Sequence, residues 1–274
     1  MEAKLTDCYT MSEGKALMSG TEALVRLLLE QSRIDRLNGL KTEGLVSGYP
    51  GSPLGGLDIA LGKAKAFLDE EGIHFQPAVN EELAATALWG SQHIDLYDNP
   101  DIQGVFSMWY GKGPGLDRAM DALRHANQGG VAPHGGMVIA VGDDPTGKSS
   151  TLAYQSDQNF HSLGIPYFFP KNVSDIISMG LEAFALSRYS GCCVGLKIVV
   201  DVADSNAVVD MSKLRPSLPI LKSNNLVHVK KHDPAGLRES KLHEVRLPAV
   251  QTWCQHSGNV AQIYLPAKKG RTRL

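Results

Sequence analysis

The 274-residue chain is poor in cysteine, with only Cys8, Cys192, Cys193 and Cys254. None stands in a C-x-x-C or C-x-x-H spacing, so the chain offers no zinc site and no cluster-binding run of its own. Adjacent Cys192 and Cys193 open the apolar stretch CCVGLKIVV and read as small buried thiols on a strand. Long apolar runs are lacking too. None reaches the roughly 18 residues that a bilayer span needs, and the opening MEAKLTDCYTMSEGK lacks the apolar centre of a signal peptide. With 43% hydrophobic residues, the expectation is a soluble cytoplasmic protein with a full core.

Acidic residues are scarce in one region only. Residues 213–274 carry 12 basic and 3 acidic side chains, a balance of +9, whereas residues 1–212 carry 15 and 26, a balance of −11. The split predicts a boundary near residue 212. The basic residues are scattered among Pro, Leu and Val, which suits docking on acidic protein surface better than binding nucleic acid.

What the chain has in abundance is alternation. Ser19-Gly-Thr-Glu22 is a capping box ahead of ALVRLLLEQSRIDRLNG, a helix that Gly39 can end. EGLVSG reads as a strand, LGGLDIALGKAKAFLDEEG as a helix and IHFQPAV as a strand. Asn80 then caps the helix EELAATALWGSQHIDLY. IQGVFSMWYG, MVIAV, IPYFFP and CCVGLKIVVDVAD read as further strands, with helices at GPGLDRAMDALRHANQGG and VSDIISMGLEAFALSRYSG. Strand and helix alternate at least five times. The predicted fold is α/β: a doubly wound, mostly parallel sheet with helices on both faces. Beyond Asp210 the rhythm fails, and MSKLRPSLPILKSNNLVHVKKHDP reads as a linker. AGLRESKLHEVRLPAVQTWCQHSG is helical on each side of Pro248, and VAQIYLP could be a strand.

Ligands of such a sheet lie at the carboxyl ends of its strands, where the Gly-rich loops GYPGSP, YGKGPG and GDDPTGKSS fall. The last contains GDDPTGKS (142–149), a match to the phosphate loop G-x-x-x-x-G-K-[ST]. A nucleotide there needs a ring of backbone N–H groups with little competing negative charge. Asp143 and Asp144 add two carboxylates, Pro145 deletes a donor, and STLAYQSDQNF is a poor start for the helix that should face the phosphates. In favour of an NTPase, LKIVVD ending in Asp201 could pass for a magnesium-holding strand. His228 and His232, spaced i, i+4 in HVKKH, have two lysines between them and no third ligand, and read as surface residues rather than a metal site. Trp109-Tyr110 could wall a substrate pocket or belong to the core.

Glu81 and Glu82 open a helix, where carboxylates favour the positive end. Glu81 also begins just after a strand, on the edge expected to hold the Gly/Pro loops, where an acid can be tuned for proton transfer.

The ordered motifs SGYPGSP, VNEELAATALWGSQ, WYGKGPGLDR and GDDPTGKSS resemble the first domain of the indolepyruvate ferredoxin oxidoreductases, members of the thiamine-diphosphate-dependent 2-oxoacid:ferredoxin oxidoreductases. ALSRYSGCCVGLKIVVDVADSNAVVD continues the likeness, which runs from about Ser12 to about Gly258. The resemblance implies that Glu81 hydrogen-bonds the aminopyrimidine of the cofactor and is catalytic. It implies that Pro50, Gly51 and Ser52 touch the cofactor, that Gly113, Pro114 and Gly115 line the pyrimidine pocket, and that Tyr49, Ser52 and Lys148 face the 2-oxoacid. Residues 143–150 would form a loop close to the site, making the phosphate-loop match a coincidence. The implied reaction is oxidative decarboxylation of a 2-oxoacid, an arylpyruvate such as indolepyruvate, to acyl-CoA. Ferredoxin would accept the electrons, coenzyme A would take the acyl group, and the full enzyme would be a homodimer. No Gly-Asp-Gly run for diphosphate and Mg²⁺ occurs. Residues 12–212 are therefore expected to be the pyrimidine-binding domain and residues 213–274 a basic linker and helical segment leading to a missing domain. The diphosphate, Mg²⁺ and any 4Fe–4S clusters would be held by a partner domain or subunit, leaving the chain inactive alone. A phosphate-loop NTPase and a non-catalytic binding domain are the rival expectations.

Overall fold

A computed structural model describes residues 4–149, 151–221, 224–228, 230 and 233–257. A short helix, α1 (Asp7–Thr10), precedes strand β1 (Lys15–Ser19) and the long helix α2 (Gly20–Leu37). The capping box is formed as the sequence predicts: the Ser19 side chain accepts the Glu22 N–H, and the Glu22 carboxylate accepts the Ser19 N–H at 2.8 Å. Gly39 follows in the left-handed region, φ +73°, where a side chain is disfavoured and a helix can turn away.

The chain continues through β2 (Thr42–Gly48), α3 (Leu57–Lys63), α4 (Lys65–Glu70), β3 (Ile73–Phe75) and α5 (Glu81–Ser91). The single helix expected over LGGLDIALGKAKAFLDEEG is thus two short ones, divided at Ala64. Next come β4 (Gly104–Lys112), α6 (Gly113–Gly129), β5 (Met137–Asp143), α7 (Asp157–Leu163), β6 (Tyr167–Phe168) and α8 (Val173–Ser190). Strand β7 (Val194–Val199) turns into α9 (Val200–Ala203) and then β8 (Asn206–Asp210).

Six strands form one sheet in the order β3-β2-β4-β5-β7-β6, and every neighbouring pair is parallel. A separate antiparallel ribbon joins β1 to β8. Alternation along the central strands builds two cores. Phe106, Met108 and Tyr110 of β4 and Val138 and Ala140 of β5 face the layer containing α2, α3 and α8. Trp109 of β4 and Met137, Ile139 and Val141 of β5 face α5, α6 and α7. Side chains on successive strand residues point to opposite faces, so a run apolar on both faces is the mark of a covered parallel strand. Cys192 and Cys193 are buried just ahead of β7, and desolvation pushes the Cys192 thiol up to about 11 and raises Cys193 as well.

Beyond β8 the chain has little regular structure until α10 (Ala235–Lys241), a π-turn over Leu242–Arg246 and α11 (Leu247–His256). Pro248 stands in the first turn of α11, directly after the π-turn that already departs from the i→i−4 ladder. The VAQIYLP stretch lies outside the described residues. Among those described, no helix is long and apolar enough to cross a membrane.

Candidate active site

From β2 the chain goes outward to β3, then returns to place β4 on the other side of β2. That reversal opens a crevice beyond the carboxyl ends of β2 and β4, the usual ligand site of a doubly wound sheet. The loop after β2 carries Tyr49, Pro50, Gly51 and Ser52. The loop after β4 carries Lys112 and runs straight into α6 through Gly113, Pro114 and Gly115. The two meet: a Cβ at Gly51 would stand 2.9 Å from Lys112 Cδ. The end of β5 closes on the first loop as well, since a Cβ at Gly142 would lie 2.8 Å from Pro53 Cδ. Ser52, Lys112, Pro114, Ser149, Thr151 and Leu152 line a cavity of about 250 Å³ between these loops.

Glu81 enters the same edge from α5. Asn80 caps this helix, its side chain accepting the Leu83 N–H at 2.9 Å, so Glu81 is the first helical residue. The indole N–H of buried Trp109 donates to the Glu81 carbonyl at 3.0 Å, which ties the helix start to β4. The Glu81 side chain turns inward and the residue is 7% exposed, whereas Glu82 is exposed. Its carboxylate packs on Gly115, where a Cβ would come within 2.7 Å of Oε1. Only glycine leaves room for it there. Arg118 Nε lies 3.9 Å from Oε2, too far for a hydrogen bond. No hydrogen bond from a described residue to this carboxylate is found, and Arg118 is the cation that faces it.

The loop after β5 is built around its own two carboxylates. Asp144 is buried, and its side chain accepts the N–H of Lys148 at 2.9 Å, the N–H of Ser149 at 2.6 Å and the Ser149 hydroxyl at 3.1 Å. These are the N–H groups that a phosphate loop would turn to its nucleotide. No helix follows Lys148; α7 begins only at Asp157. Asp143 is fully buried and accepts the N–H and hydroxyl of Ser156, both at 2.8 Å. Burial holds its carboxyl above the usual carboxylate range against the opposing pull of Ser156 and Lys197, whose Nζ is 3.6 Å away. Tyr154 anchors the far side of the loop through its hydroxyl, which donates to Asp117 at 2.8 Å. Its ring fills the space over Gly113, where a Cβ would overlap it at 1.8 Å.

Tyr49, Pro50, Gly51, Ser52, Gly113, Pro114, Gly115 and Glu81 therefore share one edge. Lys148 is exposed and leans to Asp201 and Asp204, at 3.8 and 3.9 Å. Lys112 is the residue that sequence reasoning passed over. It stood inside the quoted WYGKGPG, but a lysine among glycines gives no sign of which way its side chain runs. Trp109 and Tyr110 are both fully buried, so they belong to the core. His228, expected at the surface, is buried, with Nδ1 3.2 Å from the Val131 carbonyl; the segment after β8 folds back onto the sheet layer. His232 lies outside the described residues.

No family model matches the chain. It is 28% identical over 188 residues to "Indolepyruvate oxidoreductase subunit IorA" of Pyrococcus abyssi, and 28% identical over 190 residues to the protein of that name from Pyrococcus horikoshii. Both alignments cover 67% of this chain and 24% of the relative. The fold is that of a 2-oxoglutarate:ferredoxin oxidoreductase from Magnetococcus marinus, solved with 2-oxoglutarate, coenzyme A and succinyl-CoA bound. The superposition has a TM-score of 0.55 at 16% identity and covers 88% of this chain and 46% of that one. In sequence the chain is similar to an indolepyruvate oxidoreductase subunit, and in fold to a 2-oxoacid:ferredoxin oxidoreductase. The strand-end crevice with Glu81 is the candidate site, and the chain spans about a quarter of the length of the relatives it matches in sequence.

Proposed function

We propose that this chain is the pyrimidine-side part of a thiamine-diphosphate-dependent enzyme that oxidatively decarboxylates a 2-oxoacid, an arylpyruvate such as indolepyruvate. Ferredoxin takes the electrons and coenzyme A the acyl group. The observation that carries this reading is Glu81: a buried carboxylate at a strand-end crevice with no hydrogen-bond donor from the described residues. Such a group suits the aminopyrimidine of thiamine, whose ring nitrogen it would meet with a proton. When bound, thiamine diphosphate supplies a carbon nucleophile and holds the electron pair that departing CO₂ leaves behind.

The chain's own residues have three tasks in this scheme. Glu81 holds or gives the proton at the pyrimidine nitrogen. Gly113, Pro114 and Gly115 form a wall against which that ring lies, with Gly115 keeping the space beside Glu81 open. Tyr49, Pro50, Gly51 and Ser52 bring backbone and a hydroxyl to the 2-oxoacid side. Residues 12–212 form the pyrimidine-binding unit, and the diphosphate, Mg²⁺ and iron–sulfur clusters are held by a partner domain or subunit in a homodimeric assembly.

The test is CO₂ release from indolepyruvate with thiamine diphosphate, Mg²⁺, coenzyme A and oxidised ferredoxin. The purified 274-residue chain is expected to release none, and turnover is expected once the diphosphate-side partner is supplied. Release by the chain alone contradicts the division of labour. Failure of the assembled enzyme on every 2-oxoacid offered overturns the function.

A further inference from the structure

The 250 Å³ cavity between the three loops is lined by a cation, Lys112, that has no counter-charge among the described residues. Lys112 ends β4 and is half-buried. Its aliphatic stem lies on Gly51, where a Cβ would come within 2.9 Å of Cδ and 3.0 Å of Cγ. A side chain at 51 would therefore displace it. Among the described residues Lys112 makes no ion pair or side-chain hydrogen bond, and the nearby acids are engaged elsewhere. Asp144 is held by its own loop, Asp143 accepts from Ser156 through one oxygen and faces Lys197 at 3.6 Å, and Asp117 is held by Tyr154 and Asn159. Ser52, Ser149 and Thr151 line the same cavity, the Ser149 hydroxyl donating to Asp144. An ammonium with hydroxyl neighbours and no internal carboxylate is a receptor for an anion brought by the ligand. The exposed Leu152 and Pro114 give the cavity an apolar side.

We propose that Lys112 is the residue that binds the carboxylate of the 2-oxoacid, with the hydroxyls of Ser52 and Thr151 beside it and the substrate's apolar group directed to Leu152. This rests on the function proposed above and names the group that selects its substrate class. The consequence for kinetics follows from charge. In decarboxylation the C–C bond breaks, its electron pair stays on the former carbonyl carbon, and the carboxylate leaves as neutral CO₂. An ammonium on the carboxylate therefore stabilises the bound acid at least as well as the transition state. Its loss belongs in KM and not in kcat.

The experiment uses the enzyme assembled with its diphosphate-side partner and compares wild type with Lys112→Met and Lys112→Arg. Steady-state turnover of phenylpyruvate is measured, with inhibition by phenylacetate and by its neutral amide, phenylacetamide. For Lys112→Met, KM and the phenylacetate inhibition constant are expected to rise by roughly tenfold or more, the scale of one charge-assisted hydrogen bond. The phenylacetamide constant and kcat should stay within about threefold, and Lys112→Arg should restore most of the loss. Equal weakening of acid and amide indicates a merely structural lysine and overturns the proposal, as does an unchanged KM. If the substituted chains fail to fold, wild type alone decides: equal affinity for acid and amide overturns the proposal. Wild-type enzyme that turns over no 2-oxoacid overturns the parent function instead, which is told apart by that control.

Discussion

Glu81 and Glu82 are adjacent, of one chemical type, and opposite in circumstance. One residue along an α-helix is a rotation of about 100°, enough to bury the first against Gly115 and leave the second in solvent. In the assembled enzyme Glu81→Gln keeps the shape but cannot exchange the proton, and kcat should fall by at least ~10²-fold. Glu82→Gln should change it little, because an exposed acid at a helix start contributes only about 0.3–1 kcal/mol to stability. Both mutants would be checked for folding by circular dichroism. The reverse ranking would remove Glu81 from the site. The position of Glu81 was legible because Asn80 marks where the helix begins. The paths of Lys112 and Lys148 were not, because a long flexible side chain on a glycine-rich loop goes where neighbouring elements leave charge or space.

At the scale of elements, the loop after β5 shows how a motif and its usual meaning part company. The letters of a phosphate loop are present, yet the Asp144 carboxylate occupies the N–H groups of Lys148 and Ser149. MgATP and MgGTP should therefore bind no more tightly than about millimolar, since a buried carboxylate repels phosphate at short range. Calorimetry showing micromolar binding that Lys148→Ala abolishes would restore the nucleotide reading. The aspartates and proline already argued this way in the sequence; the direction of the N–H groups could only come from the fold. The parallel sheet was legible from alternation, as was the α2 capping box from Ser19 and Glu22. The β1–β8 ribbon was not: Leu17 pairs with Val208 across the whole domain, and five-residue strands so far apart carry no local signal of each other. The break at Ala64 had a weaker local signal, Gly62 two residues before it, set among Ala, Lys and Leu that all favour a helix.

For the whole molecule, the basic stretch after residue 212 is fastened to the sheet layer in part by the buried Arg246. Arg246 is fully buried and donates to the carbonyls of Gln128 at 2.7 Å, Gly129 at 2.9 Å and Val227 at 2.6 Å. The first two close the carboxyl end of α6, where backbone carbonyls lack partners and a positive charge is favoured. Arg246→Met leaves these acceptors unmet and should cost on the order of 3 kcal/mol, read as a lower denaturation midpoint. The net +9 of residues 213–274 suggested a separate basic segment, and net charge could not reveal that Arg246 and Lys241 are buried.

The same contact sets a pH dependence. His228 lies beside Val131, Arg246 and His134, and burial, the largest cause, lowers its pKa below the usual histidine value, with Arg246 and His134 adding to the effect. Folded protein therefore keeps His228 neutral where the unfolded chain, with an ordinary histidine near 6.5, takes up a proton. Below about pH 6.5 the unfolded state binds more protons than the folded one, so stability falls as pH falls, by up to about 1.4 kcal/mol per pH unit for one such group. His93, also lowered by burial, adds in the same direction. Urea denaturation of the wild-type chain between pH 7 and pH 5.5 should show this loss. His228→Phe should be less stable at pH 7, having lost the Val131 contact, but its stability should decline less steeply with acidification. An unchanged slope in His228→Phe would mean that His228 is protonated in the folded chain and that the segment carrying it is not packed as the structure places it.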